Sequence, residues 1–170
     1  MKKVAVLIYD QFCNFEFSVA LEMLAMAGKS ITVFAKSLER VKSEEGLFVV
    51  AEKTIDELKI EEFDALLLTG SADIREAIED DVLLLRTGML KGKRFMAGVN
   101  KEDLIEEGFL IDDIKYMVGW DDNLRNPVED GFIREGNIIT SVSYNFIFWA
   151  IGFGKAIGIE VYPKSFGVNM

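Results

Sequence analysis

Glu16, set in Phe15-Glu16-Phe17 at the entry to an apolar helix, is the residue best suited by type to move a proton. A carboxyl group held among aromatic rings is disfavoured as an anion, so its pKa rises and it can act as a general acid or hold a shared proton. The same placement also suits a plain structural Glu, because free N–H groups and the helix dipole favour an acid in the first turn. Thr69-Gly70-Ser71 could supply backbone N–H groups to a substrate oxygen, with Gly70 permitting close approach. A tight strand-to-helix turn would use the same residues without any ligand. Val99-Asn100 follows Gly98 where a nucleophile would sit in a strand-turn-helix site, yet the segment reads KRFMAGVNKEDLIEEG and offers no Ser, Cys or His. Asn100 is well suited to cap the following helix.

The chain has no His, and Cys13 is its one Cys. A Cys–His or Ser–His couple is therefore excluded, since the base is missing. Cys13 lies near Glu16 in sequence, but a reactive thiol needs electropositive surroundings, which Asp10 and Glu16 do not supply. The acids Asp121, Asp122, Glu129 and Asp130 match no calcium loop and read as a solvated face, so no metal is expected. No GxGxxG follows a strand, and no phosphate loop follows the first strand, so no nucleotide cofactor is expected.

Alternating elements must position these residues. Residues 4–8 (VAVLI) form an unbroken apolar run, as in a central strand covered on both faces. Residues 17–28 read as a helix ending at Gly28, and residues 31–35 as the second strand of a βαβ unit. Residues 41–51 form a hairpin around Glu44-Glu45-Gly46, and Thr54 with Glu57 fits a capping box. Strands follow at 65–68 and 95–99, with a short helix at 81–89 between them and another from Asn100 to Gly108. Short strands at 115–118, 131–134 and 137–141 precede a last helix at 146–156. Together they predict a three-layer α/β/α sandwich with a mostly parallel central sheet, flavodoxin-like or amidotransferase-like in arrangement. In such sheets sites lie beyond the carboxyl ends of the strands, where residues 10–16, 69–73 and 99–103 converge.

At 170 residues the chain suits one domain, spanning 1–170. Half its residues are apolar, and a net charge of −10 argues against nucleic acid or an anionic membrane surface as partner. The opening MKKVAVLIYD has a basic tip and an apolar run, but Asp10 interrupts it, so neither a signal peptide nor a membrane span is expected. A lone Cys allows no internal disulfide, which makes the cytoplasm the expected compartment. Phe17, Val19, Leu21, Met23, Leu24 and Met26 surround the first helix with more apolar surface than one sheet face covers, which predicts a homodimer through residues 17–27.

Taken together, these segments resemble the ThiJ/PfpI family, relatives of the class I glutamine amidotransferase domain. KKVAVLIYDQFCNFEFSVALEMLAMAG is similar to that family's opening, FDALLLTGSAD stands at its Asp-x-(apolar)₃-Pro-Gly-Gly run, and REGNIITS resembles its Asp-Gly-Asn-(apolar)₂-Thr-Ser strand. The resemblance implies that Glu16 matches the family's site Glu and that Gly70 and Ser71 match its Gly-Gly. The family's Pro is Thr69, its nucleophilic Cys falls on Gly98 or Val99, and its His has no counterpart. Tyr144 stands where a Gly-rich stretch is usual and would fill space near the site. The resemblance thus implies a remodelled pocket lined by Cys13, Gly70, Ser71, Val99, Asn100 and Tyr144, without Cys-dependent hydrolase, deglycase or peptidase chemistry. Either a small-molecule-binding or dimer-mediated role follows, or a diverged hydratase, lyase or glyoxalase-like enzyme using Glu16 as acid or base. Glu16 is expected to be mostly buried near Ser71, within reach of the turn at Val99 and Asn100, with a raised pKa.

Overall fold

A computed structural model describes residues 3–71 and 88–169, which fall into two compact units: 1–72 with 153–170, and 73–152. The helix expected over 81–89 lies outside the described residues except for Gly88 and Met89, which form part of a turn.

In the first unit, β1 (Lys3–Leu7), β2 (Ile31–Ala35), β5 (Lys53–Thr54) and β6 (Phe63–Leu67) form one parallel sheet in the order β5-β2-β1-β6. The apolar run of β1 lies inside the sheet, as expected: Val4, Ala5 and Val6 are buried, and the strand pairs with β2 on one side and β6 on the other. Helix α1 (Asn14–Met26) joins β1 to β2 and buries Phe17, Ala20, Met23 and Leu24 along one stripe. It begins three residues earlier than its composition suggests. At its C-terminus Gly28 takes a left-handed conformation (φ 65°) and the Lys29 N–H bonds the Leu24 carbonyl, satisfying an otherwise free helix-end acceptor. Lys29 is buried and pairs with Asp64.

Strands β3 (Arg40–Lys42) and β4 (Phe48–Val50) form the expected hairpin, with Arg40 opposite Val50 and Lys42 opposite Phe48. Thr54 opens a 3-10 turn (Ile55–Glu57), and the Glu57 carboxylate reaches back to accept the Thr54 N–H, as in a capping box, and also accepts the Thr54 hydroxyl.

The second unit contains a parallel pair, β7 (Phe95–Met96) with β8 (Met117–Val118), and an antiparallel pair, β9 (Ile133–Glu135) with β10 (Ile138–Thr140). Its helices are α2 (Lys101–Glu106) and α3 (Trp120–Arg125). Leu90, Phe95, Ala97, Val99, Leu104, Ile114 and Met117 form its main core. The last helix, α4 (Phe146–Ala156), begins in this unit and ends in the first. Gly152 has no room for a side chain, because a Cβ there would lie 2.6 Å from the Phe132 ring. No helix among the described residues is long and apolar enough to cross a membrane.

Candidate functional site

The sequence-derived candidates divide between the units: Cys13, Glu16, Gly70 and Ser71 in the first, Val99, Asn100 and Tyr144 in the second.

In the first unit, β1 ends at the sheet's carboxyl edge and the chain turns through residues 8–13 into α1. Gln11 takes φ 59°, the only positive φ of a non-glycine among the described residues. Phe12 then bridges two segments at once, Ser43 of the hairpin and Ser71 after β6. Cys13 donates its N–H to the Gly70 carbonyl at 2.9 Å. One helical turn into α1, Glu16 points its carboxylate back at the same segment. The Gly70 N–H donates to Glu16 Oε2 at 2.5 Å, and the Thr69 hydroxyl lies 3.2 Å from that oxygen. The Thr69 hydroxyl also donates to the Cys13 carbonyl at 2.6 Å, which ties the two turns together.

Gly70 leaves the room this approach needs, since any side chain there would push the carboxylate end of Glu16 aside. A Cβ on it would stand 2.7 Å from Glu16 Oε2 and 3.1 Å from Oε1. The Gly70 N–H that could have faced a substrate oxygen is thus engaged by a carboxylate. Ser71 Oγ is buried and has no hydrogen-bond partner among the described residues.

Burial raises the pKa of Glu16, opposed by the hydrogen bonds from Gly70 and Thr69 and reinforced by the negative charges of Glu44 and Glu45. Glu16 itself is half-buried. Of its two flanking rings only Phe17 is buried. Phe15 is 39% exposed, so the expectation of two buried flanking rings is corrected: Phe15 lies partly in solvent, and the Thr69-Gly70 turn lies directly on the carboxylate.

Cys13 is buried, and its thiol donates to Glu44 Oε2 at 2.5 Å. Burial pushes its pKa far up, followed by that hydrogen bond and the charges of Glu16, Glu44 and Glu45. A thiolate, the nucleophilic form, is strongly disfavoured there.

In the second unit, Val99 is buried and its carbonyl accepts the Trp120 N–H at 3.3 Å. Asn100 is the N-cap of α2. Its N–H donates to Asp103 Oδ2 at 3.1 Å, and its own Oδ1 accepts the Asp121 N–H at 3.0 Å, so its side chain also holds the start of α3. Neither Val99 nor Asn100 has a positive φ, and Gly98 has none either. The strand-to-helix path is therefore made without the strain an elbow nucleophile carries. Gly98, Val99, Asn100, Asp103 and Trp120 line an open depression of about 310 Å³. Tyr144 is 41% exposed, stands edge-on to Trp120 with ring centroids 5.1 Å apart, and accepts a hydrogen bond from the Asn123 amide.

Several of these side chains escaped the sequence reading. Thr69 is legible as part of the Thr69-Gly70-Ser71 turn and as a departure from Pro, but the role of its hydroxyl has no local signal. Glu44 and Glu45 appeared only as hairpin residues, and their approach to α1 has no local signal. Asn123, fully buried, accepts the Val128 N–H at 3.0 Å as well as serving Tyr144, and nothing in its surrounding sequence marks it. No group of three or more His, Cys, Asp or Glu placed to hold a metal occurs among the described residues.

These features define an α/β protein with a mostly parallel central sheet and a carboxylate held at its carboxyl edge, the architecture of DJ-1-like structures. The model of the DJ-1/PfpI family matches residues 2–150, and the chain belongs to that family. Protein/nucleic acid deglycase 2 of Escherichia coli (strain K12) is 42% identical over 71 residues, 41% of each chain, so the match spans about two-fifths of that relative's length. Among solved structures, a DJ-1 superfamily protein from Agrobacterium tumefaciens has a TM-score of 0.75 at 15% identity, covering 98% of this chain and 95% of that one. Schizosaccharomyces pombe DJ-1 has a TM-score of 0.68 at 13% identity over 99% of both chains. A two-domain protein from Anabaena variabilis, with DJ-1/ThiJ/PfpI-like and ferritin-like domains, has a TM-score of 0.71 at 21% identity. It covers 96% of this chain and 51% of its own. At these identities the structures establish the fold alone.

Proposed function

We propose that this chain is a DJ-1/PfpI protein with a remodelled site that does not carry Cys-dependent deglycase, glyoxalase or peptidase chemistry, and that it binds a small molecule instead. The observation that supports this most directly is the state of the only thiol. Cys13 is buried, hydrogen-bonded to Glu44 and surrounded by carboxylates, so a nucleophilic thiolate is suppressed, and the chain holds no His to act as its base. The deglycase named among the relatives shares two-fifths of its length with this chain. Its activity is therefore the natural one to test. Incubation with methylglyoxal and with a methylglyoxal-glycated amine is expected to give no turnover above the protein-free blank. Turnover that disappears in Cys13→Ala would overturn the reading. Thermal shift with small carbonyl and carboxylate compounds is expected to reveal binding.

A second reading has its own support in the raised pKa of Glu16. A carboxyl group whose pKa is raised by burial holds its proton to higher pH than an exposed acid and can serve as a general acid in a hydratase or lyase. Any turnover found that persists in Glu16→Gln removes this alternative.

The proposal includes a homodimer through residues 17–27. Met26 is 59% exposed on α1, outside the stripe that packs on the sheet. Sedimentation showing only monomer at micromolar concentration would count against it.

A further inference from the structure

The turn that carries Glu16 is held from outside its own helix. The first N–H groups of an α-helix have no partner within it, and Ser, Thr, Asp or Asn usually supplies one from the N-cap. Here the N-cap is Cys13, which makes no such side-chain bond. The acceptor comes instead from Glu45, at the tip of the β3–β4 hairpin. Its carboxylate accepts the Phe15 N–H at 2.8 Å and the Asn14 N–H at 3.3 Å.

The tip makes further bonds to the same turn. The Glu44 N–H donates to the Phe12 carbonyl at 3.0 Å, and the Glu44 carboxylate accepts the Cys13 thiol. The Gln11 N–H donates to the Lys42 carbonyl at 2.8 Å, at the residue whose backbone is left-handed. The tip is itself rigidly built: Ser43 is fully buried, its Oγ accepts the Leu47 N–H at 3.1 Å, and its N–H donates to the Leu47 carbonyl at 2.8 Å. Gly46, at φ 90°, permits the tight reversal.

We propose that the hairpin tip, residues 43–47, is a strap that fixes the position of Glu16 and closes over Cys13, with Glu45 as the positioning residue. Two independent sets of contacts support this: carboxylate bonds to the helix start, and backbone bonds to the turn before it. The strap also sets charge. It brings Glu44 and Glu45 towards Glu16, and both negative charges favour the neutral form of that carboxyl group. Opening it would expose the thiol, remove the helix cap and draw the negative charges of Glu44 and Glu45 away from Glu16.

The strap is tested by amide hydrogen exchange and by iodoacetamide labelling of Cys13 at pH 8, on the full chain without ligand. Glu45→Ala is expected to speed exchange at Asn14 and Phe15 at least tenfold and Cys13 labelling by a similar factor, while exchange at Leu24 in the same helix stays within twofold. Glu45→Gln, which keeps an acceptor oxygen, is expected to recover most of the protection. Unchanged exchange at Asn14 and Phe15 in Glu45→Ala would overturn the proposal, and so would acceleration equal to that at Leu24, since that reports general loosening. If Glu45→Ala does not fold, Glu45→Gln decides by the same comparison: slight acceleration confined to Asn14, Phe15 and Cys13 supports the strap, and none, or acceleration shared by Leu24, overturns it. None of these measurements involves turnover or binding, so the strap can fail while the proposed function stands, and the reverse.

Discussion

Glu16 Oε2 lies 2.5 Å from the amide nitrogen of Gly70, and the missing side chain of that glycine is what makes the approach possible. Among the described residues the carboxylate has no cation beside it, and it is not free in solvent. It rests on a backbone N–H and a hydroxyl beside two further acids.

Gly70→Ala should therefore push the carboxylate end of Glu16 off the Gly70 N–H and destabilise the protein by about 1 kcal/mol, the usual net worth of one hydrogen bond. Gly98→Ala serves as the comparison, because a Cβ there meets nothing within 4 Å among the described residues and its φ is not positive. Urea denaturation should show Gly98→Ala within about 0.5 kcal/mol of wild type, as for an unremarkable surface change. Equal effects at the two glycines would contradict the close packing at Gly70.

The stability of the Glu16→Gln variant should diverge from wild type with pH. Burial raises the folded-state pKa of Glu16 above its ordinary value of 4.5. Between that value and the raised one, the folded protein binds more protons than the unfolded chain, so this group's contribution to stability falls as pH rises. Glutamine lacks the ionisation and keeps an acceptor for Gly70. Melting temperatures should move in favour of Glu16→Gln on going from pH 4.5 to 8, at about 2–4 °C per kcal/mol for a chain of this size. Glu45, whose pKa is lowered because hydrogen bonds from Phe15, Ser43 and Asn14 outweigh its desolvation, has the opposite dependence and is common to both proteins. A pH-independent difference between the two would show that Glu16 is not desolvated.

Asn123 should matter more than the tyrosine it serves. Removing the fully buried Asn123 side chain in Asn123→Ala takes the acceptor from the half-buried Val128 N–H and leaves a cavity, which should cost about 2–3 kcal/mol. Tyr144→Phe loses one partly exposed hydrogen bond and should cost about 1 kcal/mol. Denaturant titrations that reverse this order would displace Asn123 from the centre of its network.

The pair formed by Lys29 and Asp64 should outweigh the exposed pair of Lys59 and Glu62. The Lys29 side chain is 5% exposed and that of Asp64 35%, so Lys29→Met takes the cation away from a partly covered carboxylate and should cost about 1–3 kcal/mol, below the range for a fully buried pair. Lys59→Met, at a solvated pair 3.9 Å apart, should change stability by less than about 0.5 kcal/mol. Thermal melts of the two variants provide the comparison.

What the sequence made legible follows from what is local. The unbroken apolar run of β1 marks a strand inside the sheet, β2 and α4 have the bounds their patterns indicate, and the hairpin turns where Glu44-Glu45-Gly46 suggests. Helix α1 begins earlier than read because its cap is supplied by Glu45, some thirty positions on, where no local pattern records it. Strand β7 is shorter than read, since residues 97–99 already bend towards the N-cap of α2. The raised pKa of Glu16 was foreseeable from its type and setting. Its partners Thr69 and Gly70 became specific only once β6 lay beside β1, and the part played by Phe15 was misjudged because sequence proximity does not say which ring turns inward.

The pairing of β6 with β1 has a kinetic consequence for the carboxylate. Strand β1, helix α1 and strand β2 are contiguous, so they can assemble early. The Gly70 contact must wait for a strand that starts about sixty residues along the chain, and closing so long a loop is slow relative to local structure. Until that strand docks, Glu16 remains hydrated and titrates as an ordinary acid. The shift in its protonation thus coincides with the docking of β6 on β1, and a carboxyl probe at this position would time that pairing.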